Sequence, residues 1–185
     1  PLIGVWDDPD EIDFDVLPNQ FVLKCNHNSG IGMCICKDKS TLDIDKVKKE
    51  LGKGLKQDYY LTGREWPYKD VPRKIICEQY MEDSLTKELR DYKFFCFNGE
   101  PKTLFIASGR QSHTSEVRFD FFDMNFNRLD FTNGHPKSKV LPSKPNSFKK
   151  MKELACVLSA DIPHVRVDLY ECNNRIYFGE MTFFH

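Results

Sequence analysis

Four groups of residues have the types and spacing to do chemistry. Arg166, Asp168 and Tyr170 alternate along one apolar run, and Glu180 and Thr182 alternate along the next. If the runs are strands, each set shares a face. Register decides whether the two faces coincide. An odd loop such as Cys172–Asn174 would set Arg166 opposite Glu180 with Asp168 diagonal on the same side, whereas an even loop would put the acids on opposite faces. On one face, two acids this close repel unless a cation or the arginine compensates them. Hard oxygen donors of this kind suit Mg²⁺, and Arg166 could then hold a negative intermediate. The plainer alternative is a surface cluster of charges.

The second group is Lys24 at the end of a β-prone run, followed by Asn28-Ser29-Gly30-Ile31-Gly32. Glycines and small polar residues let backbone N–H groups approach phosphate oxygens, and a lysine adds a compact positive charge. Glycine turns are also common in hairpins without a ligand, and this is neither G-x-G-x-x-G nor a Walker pattern. The third group is Ile75–Met81, an apolar strand running into Glu78, which could offer backbone donors and acceptors to an adenine edge or be an ordinary strand end. The fourth is Asp91-Tyr92-Lys93, where a lysine alternating with core aromatics points to the opposite, usually solvated, face.

The elements that must hold these groups are legible from pattern. Residues 1–20 are acidic, punctuated by Pro9 and Pro18, and read as a connector. Strands are predicted at Phe21–Lys24 and Met33–Cys36, on either side of the glycine-bearing loop. Ile44, Val47, Leu51 and Leu55 recur at helical spacing over 43–56, with Asp43 as the cap. A β-rich run covers Arg73–Met81. Asp91–Phe97 and Lys102–Ala107 flank Asn98-Gly99, a tight-turn signal. A second hairpin is expected from Val117–Asp123 and Arg128–Phe131, a helix over 145–160 with Phe148, Met151, Leu154, Ala155 and Leu158 on one face, and two last strands at His164–Tyr170 and Arg175–Thr182. The sum is an α+β chain with a small lobe at 21–83 and a larger one at 84–185.

Composition narrows the function classes. The 185 residues carry 27 Lys plus Arg against 28 Asp plus Glu, a net charge of −1, which argues against recruitment to nucleic acid by bulk charge. A hydrophobic share of 40% excludes a disordered chain. No apolar run approaches the ~20 residues of a membrane span, and the acidic opening lacks the plan of a signal peptide, so a cytoplasmic protein is expected. Cys25, Cys34, Cys36, Cys77, Cys96, Cys156 and Cys172 form no CxxC pair and read as free thiols. Of the histidines, His27 lies in the candidate phosphate loop, while His113, His135 and His164 read as surface or satisfied core residues. Asp43-Ile44-Asp45 has the spelling of a sugar-nucleotide transferase acidic pair but opens a helix, where capping is the simpler role. Lysines within Lys137–Lys150 form a solvated loop that could attract an anionic polysaccharide.

In their order along the chain these groups resemble the ATP-grasp superfamily. FVLKCNHNSG, ICEQYM, DYKFFCFNGEPK and RVDLYECNNRIYFGEMTFFH are similar to its TupA-like branch, named for teichuronopeptide biosynthesis, over about Leu2 to His185. The resemblance implies two lobes of mainly antiparallel sheet with flanking helices and ATP between them. It further implies that a preceding subdomain and a continuation beyond His185 are missing. Lys24 would contact phosphates under a closing Ser29, Gly30 and Gly32 loop. Glu78, Gln79, Tyr80 and Met81 would form the adenine hinge, with Gln79 and Met81 offering backbone groups. Lys93 would be a phosphate contact, and Glu82 or Asp83 would reach the ribose. Asp168, Glu180 and Thr182 would hold Mg²⁺, although threonine stands where many superfamily members have asparagine, and Arg166 would steady the intermediate. The implied activity is an ATP-dependent carboxylate–amine ligase joining an amino acid or amine to a uronic-acid-containing envelope polysaccharide in the cell wall. The alternatives are a glycosyltransferase-type enzyme of polysaccharide assembly and a non-catalytic ATP-binding module. Oligomeric state stays open.

Overall fold

A computed structural model describes residues 1–109 and 116–183. The chain divides into two compact units, Pro1–Tyr80 and Met81–Phe183. The first unit therefore ends three residues before the lobe boundary expected at 83.

Unit 1 is a four-stranded antiparallel sheet in the order β1 (Leu2–Trp6), β4 (Ile75–Gln79), β2 (Phe21–Cys25), β3 (Met33–Cys36). Strict alternation in β2 buries Phe21, Leu23 and Cys25 and leaves Val22 and Lys24 on the other face. β4 matches it, with Ile75 and Cys77 buried and Ile76 and Glu78 half-buried. Helix α1 (Ile44–Leu55) packs through Val47 and Leu51, one turn apart, onto this core. Asp43 caps it by accepting from Lys46 N at 3.0 Å. That role, worth about 0.5–2 kcal/mol, engages the acid that the transferase alternative would need.

Residues 1–20 are not a connector. They supply β1, whose Trp6 pairs with Ile75, and the buried side chains Ile12, Phe14 and Leu17. Lys39 Nζ fastens this segment by donating to the carbonyls of Phe14, Asp15 and Leu17 at 3.0, 3.1 and 2.7 Å. The acidic residues that suggested a linker occupy exposed positions between the apolar ones. A short helix, α2 (Tyr59–Gly63), and a 3₁₀ turn at Trp66–Tyr68 follow α1, held by a Tyr59–Tyr68 edge contact.

Unit 2 is a five-stranded antiparallel sheet in the order β7 (Arg118–Asp123), β6 (Glu100–Ser108), β5 (Asp91–Phe97), β8 (His164–Cys172), β9 (Arg175–Thr182). Helix α3 (Phe148–Leu158) lies on one face, and Phe148, Met151 and Ala155 meet Phe94, Leu104, Ile106, Phe122 and Val167 in the core. The β5–β6 turn is Asn98-Gly99, with φ of +50° and +79°, as the dipeptide predicts. The expected second hairpin shrinks to a single bridge, Phe122 to Arg128. Arg128 instead turns to the buried Asp120, which also accepts from Ser138 N at 3.2 Å. Among the described residues no helix is long and apolar enough to cross a membrane.

Candidate functional site

In unit 2 the face opposite α3 carries a buried ionic cluster. β5 presents Asp91 and Lys93, and β8 presents Arg166 and Asp168, with Lys93 directly opposite Asp168. Lys93 Nζ stands 2.8 Å from Asp91 Oδ2 and is also paired with Asp168 Oδ2. Arg166 grips Asp168 with both arms, Nε to Oδ1 at 2.7 Å and Nη2 to Oδ2 at 2.8 Å. The same Nη2 donates to Glu180 Oε1 at 3.0 Å and to Thr182 Oγ1 at 2.9 Å. Asp168 is fully buried and Lys93 nearly so. Lys93 is thus not on a wet face, as its alternation suggested. It is sealed between two carboxylates, because leaving an ammonium buried and unpaired would be costly.

The two acids share a face, but not by the parity read from the sequence. The β8–β9 turn is an even, two-residue one, Asn173-Asn174, with φ of +50° and +61°. Continued unbroken, that register would place Glu180 on the wrong face. A bulge intervenes: Leu169 pairs with Phe178 but Asp168 pairs with Glu180, leaving Gly179 as the extra residue. A Cβ on Gly179 would come within 2.8 Å of the Tyr170 ring and 3.0 Å of Asp168 O. Gly179 was not singled out from the sequence, and a glycine inside a strand run was the signal.

Charge follows this geometry. Reduced solvation first, then the neighbouring Asp168 charge, pushes the Glu180 carboxyl above the ordinary carboxylate range, although its side chain is still 52% exposed. For Arg166, burial works against the charge, but the hydrogen bonds and charge of Asp168 prevail and hold it above its ordinary value. The described cluster has three acids (Asp91, Asp168, Glu180) against two cations (Lys93, Arg166). Its chemistry suits a hard cation: two carboxylates and a hydroxyl from facing strands. No group of three or more acidic, histidine or cysteine side chains among the described residues forms a metal cage. Two carboxylates completed by phosphate oxygens is the way Mg²⁺ is commonly held, so the residues present fit a nucleotide-borne Mg²⁺.

In unit 1, Lys24 and Glu78 lie diagonally across β2 and β4 on one face, with Nζ 2.6 Å from Oε2 and both side chains 39% exposed. The loop after β2 leaves Ser29, Gly30 and Ile31 exposed, while Gly32 is buried. Gly30 and Gly32 have φ of +88° and +69°, so the loop requires glycine at both. Gln79 is the last residue of β4, and of the backbone groups expected to meet a base its N–H is committed to Pro1 O at 2.9 Å. Tyr80 is buried with Lys37 Nζ 5.5 Å from its ring centre. An open cavity of about 510 Å³ lies beside them, lined by Pro1, Ile3, Pro18, Asn19, Gln20, Gln79 and Tyr80. Met81, half-buried, is the first residue of unit 2.

Other expected residues resolve as follows. Asp83 accepts backbone N–H groups of Leu85 and Thr86 at 3.0 Å and of Asn173 at 2.8 Å, and these bonds hold its carboxyl below the usual range. A carboxylate so engaged is a poor ribose ligand. All seven cysteines are free. His135 and His164 pack on Phe119 and Phe97, and His113 lies outside the described residues. Of the lysines expected to attract an anionic chain, Lys137 pairs with Asp130 at 2.7 Å and Lys150, in α3, with Glu153 at 3.1 Å.

Two antiparallel sheets with few helices define this as an α+β protein of the ATP-grasp ligase fold. The family described as TupA-like ATPgrasp matches residues 1–185, and the chain belongs to it. The D-alanine–D-alanine ligase of Bacillus anthracis complexed with ATP superposes with a TM-score of 0.51 at 15% identity, over 99% of this chain and 47% of that one. Another structure of the Bacillus anthracis enzyme gives 0.48 at 14% identity over 94% and 48%. The Helicobacter pylori ligase gives 0.45 at 12% over 94% and 44%. The chain thus spans about half the length of these proteins, and the first likeness shows the fold. No curated protein matches the sequence.

Proposed function

We propose that the chain is the nucleotide- and metal-handling part of an ATP- and Mg²⁺-dependent carboxylate–amine ligase. The observation that carries this reading is the in-register set Arg166, Asp168, Glu180 and Thr182, which combines hard oxygen donors with a guanidinium on one face. A structural ion network has no need of a bulge that brings two carboxylates together at a cost to one of them. The TupA-like family and the ATP-bound ligase of like fold support the same reading.

Lys24 draws the phosphates and exchanges its bond to Glu78 for one to a phosphate oxygen. Ser29, Gly30 and Gly32 supply backbone N–H groups to them. The cavity beside Gln79 and Tyr80 receives the base, with Met81 offering backbone groups and Glu82 the ribose contact. Asp168 and Glu180, with Thr182, hold Mg²⁺. Bound Mg²⁺ would neutralise phosphate charge. Lys93, buried against Asp91 and Asp168, orients Asp168 in place of touching phosphate. Arg166 exchanges Asp168 for the anionic substrate.

In the reaction a carboxylate oxygen attacks the γ-phosphorus and ADP leaves, giving an acyl phosphate. An amine nitrogen then attacks the acyl carbon, phosphate leaves and the nitrogen loses a proton, forming the amide. Arg166 steadies the negative charge on this path. The acceptor we propose is a uronic-acid-containing polysaccharide of the cell envelope, with an amino acid or amine as nucleophile, by likeness to the teichuronopeptide branch. The test is ADP release by the full-length protein with a uronic-acid polymer and an amino acid. ADP formed only when both are present supports a ligase. Turnover of a sugar nucleotide without ADP release would overturn it in favour of a transferase.

A further inference from the structure

The base of the glycine loop is tied to the last turn of α1 by an unusual set of bonds. Helix ends leave their final carbonyls without intrahelical partners. Here Leu55 O and Gly54 O, the latter also accepting from Gln57 N, are taken by the loop and its neighbour, and Leu51 O inside the helix is met as well. Cys25 Sγ meets Leu51 O at 3.6 Å, Asn28 Nδ2 donates to Gly54 O at 3.0 Å and Arg73 Nη1 to Leu55 O at 3.0 Å. Just beyond the helix, His27 Nε2 donates to Gln57 O at 3.1 Å. Gly32 and Gly54 touch backbone to backbone, since a Cβ on Gly54 would stand 2.6 Å from Gly32 Cα. His27 is 2% exposed, and its Nδ1 is buried without a hydrogen-bond partner.

We propose that His27 is a positioning residue for the nucleotide loop: through Nε2–H to Gln57 O it clasps the loop base to α1, so that Ser29, Gly30 and Ile31 are presented from a fixed frame. The proposal rests on the functional reading above in taking this loop as the phosphate loop. The bond requires the tautomer with hydrogen on Nε2, which leaves Nδ1 as a bare lone pair. Protonation would place a second N–H on Nδ1, which has no hydrogen-bond partner in the folded chain. The charged groups facing the ring are Arg73, from the segment leading into β4, and Asp58, just after α1, and they are paired with each other. Burial, with Arg73 adding to it, prevails over the pull of Gln57 O, Gly54 O and Asp58 and holds the imidazole below its ordinary value of 6.5. The folded state then binds fewer protons than the unfolded one just below pH 6.5, so the clasp weakens on acidification and not on alkalinisation.

Glutamine carries its amide nitrogen near the place of Nε2 and does not titrate, so His27→Gln keeps the donor and removes the proton switch. The experiment is hydrogen exchange of peptides spanning 25–33 without nucleotide, corrected for intrinsic rates, beside ATP affinity of the full-length protein from pH 7.5 to 5.5. Wild type, His27→Gln, His27→Ala and Asn28→Ala are compared after circular dichroism establishes that each is folded. Expected at pH 7.5 is about ten-fold faster loop exchange and weaker ATP binding in both alanine variants, with His27→Gln near wild type. Only the histidine-containing clasp should loosen as pH falls. Unchanged loop exchange in His27→Ala, or wild-type pH dependence in His27→Gln, overturns the proposal. A loop that loosens while ATP affinity holds overturns the positioning role. Failure of wild type to bind ATP at all, with loop exchange as expected, removes the functional reading and leaves the clasp standing.

Discussion

Two lysine–carboxylate pairs, one in each unit, show what environment does to the same chemistry. Lys24 and Glu78 meet at 2.6 Å with both side chains 39% exposed, whereas Lys93 and Asp168 meet with 9% and 0%. An exposed pair is worth little, about 0–1 kcal/mol, and exchanges partners freely. A buried pair contributes little net stability either, but removing one member leaves the other stranded. In the function proposed above, the first is the lysine that a phosphate takes. The second is a brace that fixes where Asp168 points, and it explains why Lys93 is a poorer candidate for phosphate than Lys24. Arg166 extends the brace, for both oxygens of Asp168 are already engaged. The proposed loading of a cation there would therefore require a shift of the Arg166 fork.

Breaking the buried member should have the largest effect. Asp168→Asn takes from Lys93 and Arg166 the carboxylate they share, leaving Lys93 with Asp91 and Arg166 with the half-exposed Glu180, and urea denaturation should show a loss of about 3 kcal/mol. Gly179→Ala comes next: its methyl meets the Tyr170 ring and Asp168 O, and a loss of about 1–3 kcal/mol is expected, with Mg²⁺-dependent ATP binding falling alongside as Glu180 is displaced. Lys24→Met should change stability by less than about 1 kcal/mol, yet weaken ATP binding by about ten-fold, a split that the calorimeter and the melt read together. Glu180→Gln should be the mildest for folding. A carboxyl whose value is raised in the folded state loses stability as pH rises above 4.5, so the amide should be as stable as wild type or more so at pH 7. The two acids of one proposed metal pair would then respond in opposite directions.

How much of this was legible follows from distance along the chain. The β5–β6 turn, α1 with its Asp43 cap, and α3 arise from neighbours a few residues apart, and each was read from Asn98-Gly99, Val47 with Leu51, or Phe148 with Met151 and Ala155. Residues 1–20 were misread because β1 acquires its meaning from β4, with Leu2 opposite Glu78. The Arg128 segment forms one bridge to β7 where a full strand was expected, and its ion pair to Asp120 is a contact that alternation does not reveal. In the candidate site, Arg166, Asp168, Glu180 and Thr182 could be named from alternation, but the parity that unites them depends on a single bulged glycine. The role of Lys93 was hidden because alternation says which face a side chain takes, not whether that face is wet. Asp91 went unweighted for the same reason.

The central claim is that Asp168 and Glu180 serve a cation that arrives with ATP. It is tested most directly by calorimetric titration of the full-length protein with ATP, with and without Mg²⁺, for wild type and Glu180→Gln. The expected result is wild-type binding at least about ten-fold tighter with Mg²⁺ and a variant, folded as well as wild type, that has lost most of that gain. Equal binding by both proteins, unaffected by Mg²⁺, would contradict it.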